Sequence, residues 1–184
     1  VGTVLFMCPF TTEADGGLPL IDALFTSTSA VCVTGLIVVD TAVVYSFWGK
    51  LTILILIQIG GLGIMIFSSF ALFSSRHKVS FEDKLVLSYM LSEDNMNKLS
   101  TRVRAIIYST FAVEAVGALL LLLPALSEGE GVDFDALFSS LFHAVSAFCN
   151  AGFALFSDSF EGFRDNLFVN GVLALLIILG GISF

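Results

Sequence analysis

The sequence predicts an all-α membrane protein, and three observations support that fold class. Only 13% of the 184 residues are charged and 57% are hydrophobic, whereas soluble domains usually carry about 25% charged residues. Two apolar runs, residues 51–75 and 103–126, are each longer than the ~20 helical residues that cross a bilayer core. The third observation is an internal repeat that contains a segment too short to span a membrane.

Charge is distributed unevenly along the chain, whose formal net charge is −8. Six of the eight Lys and Arg residues lie between the two apolar runs or at the start of the second: Arg76, Lys78, Lys84, Lys98, Arg102 and Arg104. The positive-inside rule therefore predicts that the linker 76–101, expected to be a helix, is cytoplasmic. The remaining loops are acidic, so we expect them outside, where they raise the local concentration of cations.

The chain contains two copies of one phrase, shifted by 117 residues. Aligning 24–40 with 141–157 gives six identities, at Leu24, Phe25, Ser29, Ala30, Cys32 and Gly35. The flanks repeat as well, because residues 1–10 match 116–125 and IGGLGI (59–64) matches LGGISF (179–184). A repeat of this kind predicts two structurally equivalent units.

Each unit is predicted to contain a helix, a re-entrant segment and a second helix. The first helix is expected to end near Pro9 or Pro124, and an acidic outer loop follows it. The next stretch, predicted as a helix at 20–30 and 135–147, reaches only ~16–21 Å at 1.5 Å per residue, which is too short to span. It must therefore dip into the membrane and return, and irregular backbone at that depth is tolerated only inside protein or against water.

These units give the predicted domain organisation. Residues 1–75 form the first unit, 76–101 the cytoplasmic linker helix and 102–184 the second unit. Because the first unit begins late and the second ends early relative to each other, we expect a chain truncated at both ends. The chain also opens without a Met or a basic flank, so no signal peptide is expected.

The repeated phrase contains almost no reactive side chains, which favours chemistry by the backbone. Carbonyl oxygens in a re-entrant loop replace the water shell of an ion in potassium channels. Gly35 and Gly152 are expected at φ > 0, which β-branched neighbours avoid. The preceding short helices would direct the negative ends of their dipoles toward the cavity, which favours a cation.

At these residues the chain resembles a known superfamily. DALFTSTSAVCVTGLIVVDT (22–41) and FHAVSAFCNAGF (142–153) resemble the first and second pore loops of the Trk/Ktr/HKT cation transporters, and QIGGLGIMIF (58–67) resembles the helix after the first loop. The bacterial Ktr-type membrane subunits are the most similar type. The resemblance implies repeated M1–P–M2 units (helix, re-entrant pore helix with filter loop, helix) around a single pore, with four units in a complete protein.

The resemblance also implies cargo, partners and location. It implies transport of K⁺, with possible dependence on Na⁺, across the plasma (inner) membrane by a multi-pass protein without enzymatic activity or an organic cofactor. The expected partners are the third and fourth units of the same protein, a second copy in a homodimer, a cytosolic nucleotide-binding RCK regulatory subunit and the lipid bilayer, but no nucleic acid. The selectivity filter carried over from the family comprises Val31, Cys32, Val33, Thr34, Gly35, Phe148, Cys149, Asn150, Ala151 and Gly152. One Gly per unit implies weaker discrimination than TVGYG gives, and relatives with Ser at the Gly35 position favour Na⁺.

Other residues have competing interpretations. Glu114 lies in mid-helix, where a carboxylate costs roughly 2.5–3.5 kcal/mol. We therefore expect it to face the bundle interior and either to find a partner, in this chain or in the missing units, or to be protonated. Cys8, Cys32 and Cys149 are expected to be small buried residues without disulfides. A tetrameric two-helix potassium channel is an alternative, and an intramembrane enzyme using Cys149 and His143 is a more remote one. The glycines of 60–63 favour close helix packing over a hinge.

Overall fold

The computed structural model describes residues 1–14, 16–63, 99–127 and 133–181, and every regular element in these ranges is helical. The helices are α1 (Gly2–Phe6), α2 (Leu20–Val31), α3 (Thr41–Val44), α4 (Phe47–Gly61), α5 (Leu99–Ser127), α6 (Phe134–Phe148) and α7 (Leu167–Gly181), with 3₁₀ turns at Pro9–Thr11 and Glu161–Phe163. Within the described ranges, extended residues pair only in an isolated bridge between Thr12 and Tyr45. The all-α prediction is confirmed for this part of the chain.

The two predicted short helices form where the repeat placed them. The segments 20–30 and 135–147 correspond to α2 and α6, which have 12 and 15 residues. Asp133 caps α6, because its side chain accepts a hydrogen bond from the N–H of Phe134 at 2.7 Å. Both helices end where the repeated phrase begins, at Val31 and Phe148.

The long helix α5 ends at Ser127, three residues past Pro124 and so near that proline, as expected. Proline has no N–H, so Pro124 removes one backbone hydrogen bond to the preceding turn, and the helix ends within one turn after it. Residues Arg104–Pro124, 21 in number, are the one stretch of the described chain long and apolar enough to cross a membrane. The end of the other predicted apolar run, from residue 64 on, and most of the linker 76–101 lie outside the described residues.

The chain divides into two compact units. One comprises Val1–Gly61 and Val113–Ser183, and the other comprises Leu62–Ala112 with Phe184. The described part of the second is Leu62, Gly63 and the first half of α5. Every contact of the candidate site lies in the compact unit formed by Val1–Gly61 and Val113–Ser183.

Helix packing in the first compact unit repeats with the sequence. A Cβ built on Gly2 would lie 2.8 Å from Cδ1 of Leu56, and a Cβ on Gly117 would lie 2.8 Å from Cδ1 of Leu176. Gly117 and Leu176 occupy the repeat positions of Gly2 and Leu56, so α5 approaches α7 as α1 approaches α4. The two halves are therefore equivalent in packing as well as in sequence.

One core cluster joins α1, α2 and α4 through buried aromatic and aliphatic side chains. Tyr45 is 1% exposed and packs edge-on against Phe6, with ring centroids 5.5 Å apart. Its hydroxyl lies 3.1 Å from the Thr26 hydroxyl, to which it donates. Tyr45 thereby ties the loop before α4 to the middle of α2.

We expect Tyr45→Phe to lower the free energy of unfolding by about 0.5–1.5 kcal/mol, because it removes this hydrogen bond and leaves the Thr26 hydroxyl buried. Thermal unfolding in detergent measures the change. Tyr108→Phe is the matched control, since Tyr108 is 73% exposed. Equal stabilities of the two variants would show that the Tyr45 hydroxyl contributes nothing to the fold.

Candidate functional site

The loop after α2 folds back onto that helix. The backbone N–H of Thr34 donates to the carbonyl of Ser29 at 2.9 Å. The Ser29 hydroxyl donates to the carbonyl of Leu36, beyond the turn, at 2.7 Å. The carbonyl oxygens of residues 32–35 accept no hydrogen bond within the described part of the chain, so they remain available to a ligand.

The loop after α6 has the same bonds at the equivalent positions. The N–H of Ala151 donates to the Ser146 carbonyl at 2.7 Å, and the Ser146 hydroxyl donates to the Phe153 carbonyl at 2.7 Å. The carbonyl oxygens of residues 149–152 are again without a donor among the described residues. The two serines were not among the predicted site residues, although their identity across the repeat was a sequence signal for them.

The backbone torsions of the two loops also agree. Gly35 has φ of 74° and Gly152 has φ of 73°, which confirms the predicted positive values. Val33 (φ 55°) and Asn150 (φ 58°) are left-handed as well. Asn tolerates this conformation, but for a β-branched residue it is an outlier that the sequence did not predict. Such strain persists only where the surrounding structure enforces it.

The two loops meet at their glycines. A Cβ built on Gly35 would lie 2.5 Å from the Ala151 carbonyl oxygen and 3.2 Å from Cα of Gly152. A Cβ on Gly152 would lie 3.4 Å from Cα of Gly35. The repeated phrases, 117 residues apart in sequence, thus form one site with unbonded carbonyl groups on both sides.

The predicted site residues fall into two groups. Four of them belong to the helix ends, since Val31 and Phe148 close α2 and α6 and Cys32 and Cys149 are the C-caps. The others form the turns: Val33, Thr34, Gly35, Asn150, Ala151 and Gly152. Because α2 and α6 both end at the site, their C-terminal dipoles direct partial negative charge to it.

Glycines on α4 and α7 pack against the ends of the two short helices. A Cβ on Gly60 would collide with the carbonyl oxygen of Val31, and a Cβ on Gly180 would collide with that of Phe148. These pairs are again repeat equivalents. The contacts favour the packing interpretation of the Gly-Gly pair over a hinge.

Glu114 is 2% exposed and lies behind the second loop. Its Oε1 accepts a hydrogen bond from Nε2 of Gln58 at 3.1 Å, and the Cys149 thiol donates to the same oxygen at 3.8 Å. The expected interior partner therefore exists, and it belongs to this chain rather than to other units. Oε2 of Glu114 is buried without a hydrogen-bond partner.

His143 is 3% exposed and has a structural role. Its Nε2 accepts a hydrogen bond from the N–H of Leu155 at 2.9 Å, and Nδ1 lies 3.2 Å from the Ser139 hydroxyl. The ring also stacks on Phe156 at 4.7 Å between centroids. Since Cys149 donates to Glu114 instead, the nucleophile and base that an intramembrane enzyme requires are not paired with each other.

The three cysteines are free, and their expected burial is wrong for Cys32, which is exposed. Cys8 and Cys149 are partly buried. Cys149 is covered by Gly61 and Glu114.

The two loops also contact each other at the end of the repeated phrase. Asp40 and Ser157, which are equivalent in the repeat, contact each other, and the Ser157 hydroxyl with the Ala42 N–H holds the pKa of Asp40 below its usual value. The Ala42 N–H bond is 2.8 Å long and caps α3. This carboxylate is therefore charged at neutral pH, near the exit of the first loop.

The described part of the chain is helical, and two of its loops face each other with carbonyl groups that accept no hydrogen bond there. The chain matches the TrkH family, described as "Cation transport protein", over residues 6–184, and it belongs to that family. It is therefore part of a membrane protein, and the family is one of transport proteins rather than enzymes.

The curated relatives agree with this family. The chain is 37% identical to "Ktr system potassium uptake protein B" of Bacillus subtilis and 37% identical to "Potassium/sodium uptake protein NtpJ" of Enterococcus hirae, each over 100% of this chain and 40% of the relative. It is 39% identical to "Ktr system potassium uptake protein B" of Vibrio alginolyticus over 91% of this chain and 36% of that protein. The chain thus spans about 40% of the length of the first two.

We expect Gly180→Ala to reduce the amount of folded protein, because the added methyl group collides with the Phe148 carbonyl at the base of the second loop. Gly171→Ala, on the same helix, is the control: nothing lies within 4 Å of its Cβ position, and the equivalent residue in α4 is Leu51. Size-exclusion chromatography of the two purified variants gives the comparison. Equal yields of monodisperse protein would argue against close packing at Gly180.

Proposed function

We propose that this chain forms two M1–P–M2 units of a potassium transporter. In the first unit, residues 1–75, α1 belongs to M1, α2 is the pore helix and α4 belongs to M2. In the second, residues 102–184, these roles fall to α5, α6 and α7, and residues 76–101 form a cytoplasmic linker helix. The repeated close contacts of Gly2 with Leu56 and of Gly117 with Leu176 support this assignment.

The observation that supports the function best is the conformation shared by the two loops. Their N–H groups face the preceding helices, and the carbonyls of residues 32–35 and 149–152 are left without donors among the described residues. Residues 31–35 and 148–152 then act as two parts of one selectivity filter, in which carbonyl oxygens replace water around K⁺. The helix ends at Val31 and Phe148 add partial negative charge.

The cargo is K⁺, with Na⁺ as a second or coupling ion. Relatives named for potassium uptake and for potassium/sodium uptake support this choice. Each loop has a single glycine within residues 31–35 and 148–152, and the family resemblance links this pattern to weaker discrimination than a potassium-channel filter gives. We therefore infer preference for K⁺ over Na⁺ that small changes in loop geometry can shift.

The site is completed by partners. We infer two further units from the same polypeptide, because the chain spans only about 40% of its relatives and the two loops described supply two sides of a ring. A homodimer in the plasma membrane and a cytosolic RCK subunit bound near residues 76–101 complete the proposed assembly. A tetramer of identical two-helix chains is less favoured, because two different loops of one chain already face each other.

We expect Gly35→Ser, in the complete transporter, to lower K⁺ uptake and raise the Na⁺:K⁺ uptake ratio by about tenfold. The new Cβ would lie 2.5 Å from the Ala151 carbonyl oxygen at a φ of 74°, and holding a non-glycine residue there costs of order 1–3 kcal/mol. The loop must relax and move its carbonyls, and 1.4 kcal/mol corresponds to tenfold in an equilibrium constant. Competitive ⁸⁶Rb⁺ and ²²Na⁺ uptake in a K⁺-uptake-deficient bacterium measures the ratio.

Gly16→Ser is the matched control for this substitution. Gly16 also has a positive φ, of 128°, but nothing lies within 4 Å of its Cβ position. It should leave the ratio unchanged. A Gly35→Ser protein with unchanged K⁺ affinity and Na⁺ exclusion would mean that residues 31–35 are not part of the filter.

We also expect the basic linker to face the cytoplasm. In a variant whose three native cysteines are replaced, a Cys at Ser80 should resist an impermeant reagent added outside and react after the membrane is opened. A Cys placed at Glu161, in the proposed outer loop after the second filter segment, should react from outside. Labelling of the Cys at position 80 in intact cells would show that the topology is the inverse of the one proposed.

A further inference from the structure

We infer that Glu114 and Gln58 are positioning residues that hold the second loop through Cys149 and thereby set its ion preference. The inference rests on the proposed function, because ion preference is the property that the loop geometry controls. Neither residue belongs to the loop itself. Gln58 is on α4, in the first unit of the repeat, and Glu114 is on α5, in the second.

The geometry joins three elements at one oxygen atom. Nε2 of Gln58 and the thiol of Cys149 both donate to Oε1 of Glu114, at 3.1 Å and 3.8 Å. Cys149 is the C-cap of α6 and the first loop residue, so the position of its Cα fixes where the loop begins. A shift of Glu114 would therefore move the carbonyls of residues 149–152.

Gly61 holds Cys149 from the opposite side. A Cβ built on Gly61 would collide with Sγ of Cys149 and lie 2.8 Å from its Cβ. The cysteine side chain is thus confined between the backbone of α4 and the Glu114 carboxyl group. Since Gly61 and Gln58 are on the same helix, the first unit of the repeat controls the position of the second loop.

Oε2 of Glu114 has no partner among the described residues, so both donors bind the one oxygen Oε1.

The test compares variants of the complete transporter. Glu114→Met and Gln58→Met each remove one partner at similar volume, and we expect each to raise the Na⁺:K⁺ uptake ratio at least about threefold. Combined, they should change the ratio less than the product of the single effects, because both act through one contact. Glu114→Gln should retain K⁺ uptake, since its amide oxygen can accept both bonds.

Exchanging the two side chains keeps the test informative if a single variant folds poorly. Gln58→Glu alone brings two carboxyl groups together and should lower K⁺ uptake and change the Na⁺:K⁺ uptake ratio. Gln58→Glu combined with Glu114→Gln restores a donor and an acceptor, so both K⁺ uptake and the ratio should return to their unmodified values. Thr110→Val is the control: Thr110 is 3% exposed and one turn earlier on α5. It should leave the ratio unchanged.

The outcomes separate this inference from the proposed function. An unmodified transporter that moves neither ion would overturn both. If instead Gly35→Ser changes the ratio and the Glu114 and Gln58 variants lower uptake only in proportion to the amount of folded protein, the positioning role alone is wrong. Failure of the exchange to recover the ratio, with normal folding, would also overturn it.

Discussion

In each loop, the N–H groups bond back to the short helix that precedes it, and the rest of the site depends on this constraint. The bonds from Thr34 to Ser29 and from Ala151 to Ser146 turn the chain within a few residues. A turn this tight requires positive φ at the glycines and forces it on Val33. It also leaves the carbonyls free to face the opposite loop. The polar groups that the two loops present to each other thereby come from the backbone alone, which explains why the repeated phrase contains so few reactive side chains.

The repeat made much of this predictable. Two copies of a phrase, each after a segment too short to span, indicated the re-entrant helices within one residue of the bounds observed for α2 and α6. A glycine among β-branched residues indicated positive φ at Gly35. The features that the sequence did not predict depend on contacts between the two repeat units. The bond between Gln58 and Glu114 joins residues 56 positions apart, and no periodicity predicts that pairing. The strain at Val33 also has no local signature, since Val avoids the conformation that the tertiary structure imposes.

The two units conserve their loop geometry while their supporting side chains differ. Behind the first loop, the hydroxyls of Thr3 and Ser27 are 2.7 Å apart, and the equivalent residues in the second unit are the buried pair Ala118 and Ala144. Thr26 bonds to Tyr45, and its counterpart His143 bonds to the backbone of Leu155. Different side-chain interactions thus support the same backbone conformation in the two loops. The feature that the two halves of the site share is therefore the position of their carbonyl groups.

This divergence has an energetic consequence for selectivity. Ion preference is a difference between two binding free energies, and 1.4 kcal/mol of that difference is a factor of ten. A single hydrogen bond contributes about 0.5–1.5 kcal/mol net, so one supporting contact is as large as the quantity it adjusts. The supporting contacts differ between the two loops, as at Thr26 and its counterpart His143. Two loops with the same torsions can therefore hold their carbonyls with different stiffness, and in the proposed filter each side can be tuned through a residue that does not touch the ion.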